Sequence, residues 1–170
     1  MSLPNKLSSV SYFRNFIFGV EDSLVSTVGL LSGIAIADVP GHTIFLTGVV
    51  LIFVEAFSMA AGTFLSEYSA EEYSNHNEKA TKSEFVSGIV MFFSYSISGI
   101  IPLFPYILMP VDIALKFSVS LSVISLFILG VIGAKISHSS VLRDGLRMAL
   151  VGGVAIIVGM IAGNSISLFG

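Results

Sequence analysis

Five long apolar runs separated by polar interruptions organise this sequence, at 16–37, 44–65, 85–108, 113–134 and 146–169. A helix needs about 20 mostly apolar residues to cross the hydrocarbon of a bilayer, so each run predicts a membrane-spanning helix. The interruptions differ in kind. Pro40-Gly41 marks a short loop, Met109-Pro110 a tight turn, 135–145 a polar connection and 66–84 a longer polar stretch. The pattern predicts an all-α polytopic membrane protein in which 1–170 form a single transmembrane domain, with no room for a separate soluble one.

Composition points the same way, with 54% hydrophobic and 11% charged residues and a mean hydropathy of +0.93. Soluble domains carry charge on roughly a quarter of their residues, and one of this length hides only about 70% of its unfolded surface. The remaining apolar surface here must face lipid. Lys6 and Arg14 precede the first run, which contains Ala35-Ile36-Ala37, but a cleavable leader is not expected. Its apolar region would span about 7–15 residues, whereas this run is longer and holds Glu21 and Asp22.

Charge sets the expected orientation, because Lys and Arg stay on the cytoplasmic side of short loops. With a cytoplasmic N-terminus, Lys6, Arg14, Lys79, Lys82, Lys135, Arg143 and Arg147 fall inside and only Lys116 outside. The net charge of -3 and the lack of a basic run give no reason to expect nucleic acid as a partner. Cysteine is absent, so a metal would be held by oxygen, imidazole or thioether.

Two features bear on packing. Small residues recur at helical spacing as Ser26, Gly29 and Gly33, as Ser58, Gly62 and Ser66, and as Ala155, Gly159 and Gly163; such stripes let helices approach closely in lipid. Pro102 and Pro105 interrupt the backbone bonding of the third run, so that region is expected against protein or a cavity rather than lipid.

An ionisable residue inside a membrane helix is by default a functional hypothesis, and Glu21, Asp22 and Glu55 qualify. Glu21 and Asp22 are neighbours, so on a helix they point about 100° apart; one can face a pathway while the other caps, snorkels or pairs with Arg14. Asp22, Met59 and Met91 each lie six residues in from the cytoplasmic end of their run, about 9 Å below one surface. Glu55 stands one turn deeper than Met59 on the same face. A carboxylate beside thioethers suits softer first-row ions such as iron(II) or manganese(II) rather than Mg²⁺ or Ca²⁺. Glu67 and Glu71, one turn apart, present two carboxylates where cations would enter from the cytoplasm. His76, Glu72, Glu78 and Glu84 share that polar stretch.

The residues Phe18-Gly19-Val20-Glu21-Asp22-Ser23-Leu24-Val25-Ser26-Thr27 resemble the Gly-x-x-Asp-Gly-Leu-Val-Ser signature of the vacuolar iron transporter family. Glu55-Ala56-Phe57-Ser58-Met59-Ala60-Ala61-Gly62 resembles its second-helix Ser-Met-Ala-x-Gly motif. Pro102-Leu103-Phe104-Pro105 and Gly145-Leu146-Arg147-Met148-Ala149-Leu150-Val151-Gly152-Gly153 are similar to its third and fifth helices. The resemblance implies export of cytosolic Fe²⁺ or Mn²⁺ in exchange for protons by a homodimer whose pathway lies between subunits, with Asp22 and Met59 on that pathway. It departs from the family in three places. Ser23 stands where glycine follows the aspartate, Thr63 where glutamate follows the second-helix glycine, and the family's cytoplasmic metal-binding domain is reduced to the 66–84 stretch.

The expectation is therefore a metal exporter, not an enzyme. It needs no cofactor, takes Fe²⁺ or Mn²⁺ as transported substrate and protons and the bilayer as partners, and sits in the cell membrane rather than the vacuolar one. Asp22, Met59, Glu55, Met91, Glu67 and Glu71 are its candidate metal residues, and Glu55 and Asp22 also carry protons. The alternatives are a non-transporting membrane scaffold or metal sensor, and a divalent cation channel.

Overall fold

The computed structural model describes residues 3–75 and 82–167. All five apolar runs are helices: α1 Leu3–Ile36, α2 Gly41–Asn75, α3 Lys82–Leu103 continued by the single turn α4 Pro105–Leu108, α5 Val111–Ile136 and α6 Val141–Ser167. No strand occurs among the described residues. Five of these helices are long and apolar enough to cross a membrane. Each of the five extends past its apolar run at one end or both, because hydropathy marks what suits lipid while helix hydrogen bonding continues into the polar flanks. The connection expected over 66–84 is accordingly shorter. Glu and Ala, both good helix formers, carry α2 on to Asn75, and α3 begins at Lys82. His76, Glu78 and Lys79 lie outside the described residues.

The helix ends follow from local chemistry. Asp38 and His138 adopt left-handed backbone, φ 61° and 54°, one residue beyond the caps of α1 and α5. The Val39 N–H then reaches back to the Ile34 carbonyl, and the Ser139 N–H to that of Ala134. This is the 6→1 bond of a Schellman stop, and Asp and His tolerate the conformation better than bulky residues do. Pro40 and Pro110 open α2 and α5 by offering their carbonyls to the first helical N–H groups. Asp112 in the first turn and Lys135 in the last suit the dipole of α5.

At the proline pair the chain bends without unravelling. Phe104 keeps helical backbone between α3 and α4. The Pro102 carbonyl accepts the Ser118 hydroxyl of α5 at 2.7 Å, and Pro102, Leu103, Pro105 and Tyr106 are buried. Neighbouring helices thus satisfy this stretch, as the absence of water in lipid demands.

Helix α1 is the centre of the bundle, packed on α6, α3, α5 and α2, while α2 also packs on α3 and α5 on α6. Its seam with α6 is the meshing of two small-residue stripes. A methyl group added at Gly33 would stand 2.6 Å from the Gly159 carbonyl oxygen, and one added at Gly159 or Gly163 would fall on the carbonyl of Gly29 or Gly33. The Ser58, Gly62, Ser66 stripe does something else. Among the described residues a methyl at Gly62 would meet nothing within 4 Å, and all three residues are exposed. Leu31, Ile44, Ile52, Leu103, Tyr106 and Ala114 form an apolar cluster that closes the bundle at the end where α1 stops and α2 starts.

Candidate functional site

At the opposite end of the bundle, where α1 begins and α2 ends, a cavity of about 480 Å³ opens between α1, α2 and α3. Met59 and Met91 line it from α2 and α3, and Glu67 stands with them. Glu67 is held in place from α1: Ser11 donates its hydroxyl to Oε1, Asn15 donates Nδ2 to the same atom at 2.8 Å, and an Arg14 guanidinium nitrogen lies at 3.6 Å. Its side chain is 16% exposed and that of Arg14 71%, so the pair sits at a wet rim, where ion pairs contribute little to stability. Glu71 is one turn further out on α2, half-buried. Arg14 is therefore the partner of Glu67 and not of Glu21 or Asp22.

One turn deeper than this cavity is a second group. Asp22 on α1 and Glu55 on α2, both half-buried, lie within electrostatic range of each other and of the Tyr95 hydroxyl on α3. Tyr95 is fully buried. Its hydroxyl shares a 2.7 Å hydrogen bond with Ser26, one turn beyond Asp22, and its carbonyl accepts the Ser23 hydroxyl at 2.7 Å. Two α3 hydroxyls turn onto their own helix, Ser94 to the Met91 carbonyl and Ser98 to that of Ser94. Sequence reasoning passes over Tyr95 and takes Ser23 and Ser26 only as a motif departure and a packing residue; the spacing Met91, Ser94, Tyr95, Ser98, one face of a helix, is the signal that finds Tyr95.

Depth counting along the sequence sets Asp22, Met59 and Met91 at one level, and the structure differs. On α1 it is Phe18 and Asn15 that line the methionine cavity, and Asp22 goes with Glu55 a turn further in. The count took position 16 as the start of the first span, whereas α1 begins at Leu3 and its register against α2 is set by side-chain packing. Of the six candidates the structure brings Met59, Met91 and Glu67 to one cavity; Asp22 and Glu55 lie a turn further in and Glu71 a turn further out, and because each four-residue step on α2 turns by about 40°, Glu71 and Glu55 do not share a face. No cluster of three or more His, Cys, Asp or Glu able to hold a metal exists among the described residues. A metal held by the described residues of this chain alone would need thioether or hydroxyl as well as carboxylate.

Glu21 belongs elsewhere. It lines a cavity of about 670 Å³ between α1, α5 and α6 with Asp144, Arg14 and Arg147, and Arg147 lies within electrostatic range of it. On the wall of that cavity two guanidiniums face two carboxylates, so it presents no excess of negative charge, and Arg14 is shared with the methionine cavity.

Fold and site together define a membrane protein of five spanning helices with two carboxylates in electrostatic range of each other behind a vestibule lined by two thioethers. The model of the VIT family matches residues 13–87 and 71–164, and the chain belongs to that family. It is 25% identical over 158 residues to "Vacuolar iron transporter homolog 5" of Oryza sativa subsp. japonica, covering 85% of this chain and 76% of the rice protein. It is also 23% identical over 175 residues to an uncharacterized protein of Methanocaldococcus jannaschii, covering 92% and 91%.

Proposed function

We propose that the protein is a single-domain membrane transporter that exports Fe²⁺ or Mn²⁺ from the cytoplasm in exchange for protons, working as a homodimer with its N-terminus inside the cell. Membership of the VIT family and the rice relative's name support metal transport. The observation that carries the site is the Asp22 and Glu55 pair behind a cavity bearing two thioethers. Cytosolic cations meet Glu67 and Glu71 at the rim, pass Met59 and Met91, and reach the two acids. The thioethers favour Fe²⁺ or Mn²⁺ over harder ions of equal charge.

Two half-buried carboxylates within electrostatic range repel each other. Either a divalent cation or protons relieve that repulsion, and metal ligands bind deprotonated, so the two occupants exclude one another. Exclusion combined with alternating exposure gives antiport. The apolar cluster around Leu103 and Tyr106 closes the far end while the vestibule is open at the near end, as an exporter awaiting cytosolic metal requires.

The test is metal flux in proteoliposomes under an imposed pH gradient. Asp22→Asn abolishes flux. Glu55→Gln weakens the dependence on the gradient more than metal binding, which is read separately by calorimetry. Metal movement that neither responds to the gradient nor moves protons the opposite way overturns the antiport reading in favour of a channel, and no metal movement at all in active preparations favours a scaffold or sensor.

A further inference from the structure

We propose that the Arg143 and Arg147 face of α6 binds a phospholipid with an anionic headgroup, its phosphate held by the two guanidiniums and one acyl chain lying in the apolar groove that runs from them. Four residues apart, the two arginines share one face of the helix. Both are exposed, and neither forms an ion pair among the described residues. A groove of about 620 Å³ starts at this pair and is otherwise lined by Leu146, Leu150, Val151 and Val154. The nearest acids on the helix and across it, Asp144 and Glu21, line the separate cavity on the other side of Arg147 and not this groove.

The dimensions suit one leaflet. From Arg143 to Val154 the helix rises about 16 Å, roughly half of a 30 Å hydrocarbon core, which is the length over which one acyl chain descends from its headgroup. Leu146, Leu150 and Val154, at 49%, 68% and 60% exposure, repeat every fourth residue and give that chain a continuous wall. Guanidinium forks suit phosphate oxygens, and basic pockets at helix ends are how membrane proteins select anionic headgroups. A second copy of this chain fits the face poorly. A two-fold axis along the bilayer normal would bring the arginine pairs of both copies to the same depth, like charge against like. The proposal is independent of the transport reading.

The test uses the whole purified chain in detergent, titrated with phosphatidylglycerol and with phosphatidylcholine of the same acyl composition, bound lipid being counted by native mass spectrometry. The unmodified protein is expected to hold one phosphatidylglycerol on the order of tenfold or more tightly than phosphatidylcholine, the gain two basic groups provide at an anionic surface. Arg143→Gln with Arg147→Gln removes the preference, and Arg143→Lys with Arg147→Lys retains most of it, which separates loss of charge from misfolding. Leu150→Trp with Val154→Trp blocks the groove and weakens phosphatidylglycerol with both arginines in place. Equal affinity for the two lipids, or an undiminished preference in the glutamine variant, overturns the proposal. Displacement of phosphatidylglycerol by inorganic phosphate at matched concentration overturns it in favour of a free-phosphate site. Efficient disulfide cross-linking of two Leu150→Cys chains in native membranes overturns it in favour of a seam between copies.

Discussion

Replacing Gly159 with alanine tests the seam on which the architecture depends. The added methyl would overlap the Gly29 carbonyl oxygen and stand 2.7 Å from its carbonyl carbon and 3.2 Å from its Cα. Every one of those atoms is backbone, so no side chain can swing aside and α6 itself must back away from α1. Even at Gly33, where the clash is milder, reaching the 3.4 Å of ordinary contact from 2.6 Å calls for a shift of about 0.8 Å. A gap of 0.5–1 Å forfeits roughly a quarter to a half of a contact's dispersion energy, and in lipid no hydrophobic drive restores the pair. Overpacking of this kind costs about 1–3 kcal/mol, while alanine's better helix propensity returns up to about 1. For Gly159→Ala, a closer clash than that at Gly33, the net expectation is a loss of about 2 kcal/mol, or roughly 4–8 °C in Tm for a chain of this size. The chain has no tryptophan, so unfolding is followed by circular dichroism in detergent. Gly62→Ala is the control, because a methyl there meets nothing, and it should match or slightly exceed the parent. Equal Tm values for Gly159→Ala and Gly62→Ala would refute the reasoning.

Other expectations follow from single observations. Met59→Leu conserves volume, which usually costs under about 1.5 kcal/mol, and removes a thioether from the vestibule; Fe²⁺ or Mn²⁺ flux should fall in protein of normal stability, and unchanged flux would demote Met59 to packing. Ser118→Ala leaves the Pro102 carbonyl unsatisfied in a dry environment and should destabilise by about 1–3 kcal/mol, measured by the same melting experiment. Cysteines at Ser139 and at His42 should react with impermeant reagents from opposite faces of the membrane, Ser139 from the cytoplasm; labelling from one side would break the five-span topology.

Much of this molecule is legible from residue order. Hydropathy finds all five spans because lipid imposes a one-dimensional rule: about 20 apolar residues in a row. The motifs around Asp22 and Met59 place the chain in the VIT family without reference to packing. The proline pair announces a region that neighbouring helices must satisfy, and Ser118 does so. The small-residue stripes are visible as stripes, but their use is not. Those of α1 and α6 mesh with each other, whereas that of α2 faces outward, its Ser58, Gly62 and Ser66 bordering the vestibule. Nothing in their spacing distinguishes the cases, because which helix stands opposite is a property of the bundle.

The same division runs through the site. Composition and pattern alone determine that acids lie at bilayer depth, that a thioether accompanies them, and that cysteine chemistry is excluded. Tertiary structure decides the partnerships: Glu67 with Ser11, Asn15 and Arg14, Asp22 with Glu55 and Tyr95, and Glu21 turned away toward Arg147. Helical periodicity fixes the angle between neighbours on one helix, so the separation of Glu21 from Asp22 can be read in advance. The axial offset between helices depends on how side chains interlock over their whole length, as at Gly33 and Gly159, and that offset sets Phe18 rather than Asp22 level with the two methionines.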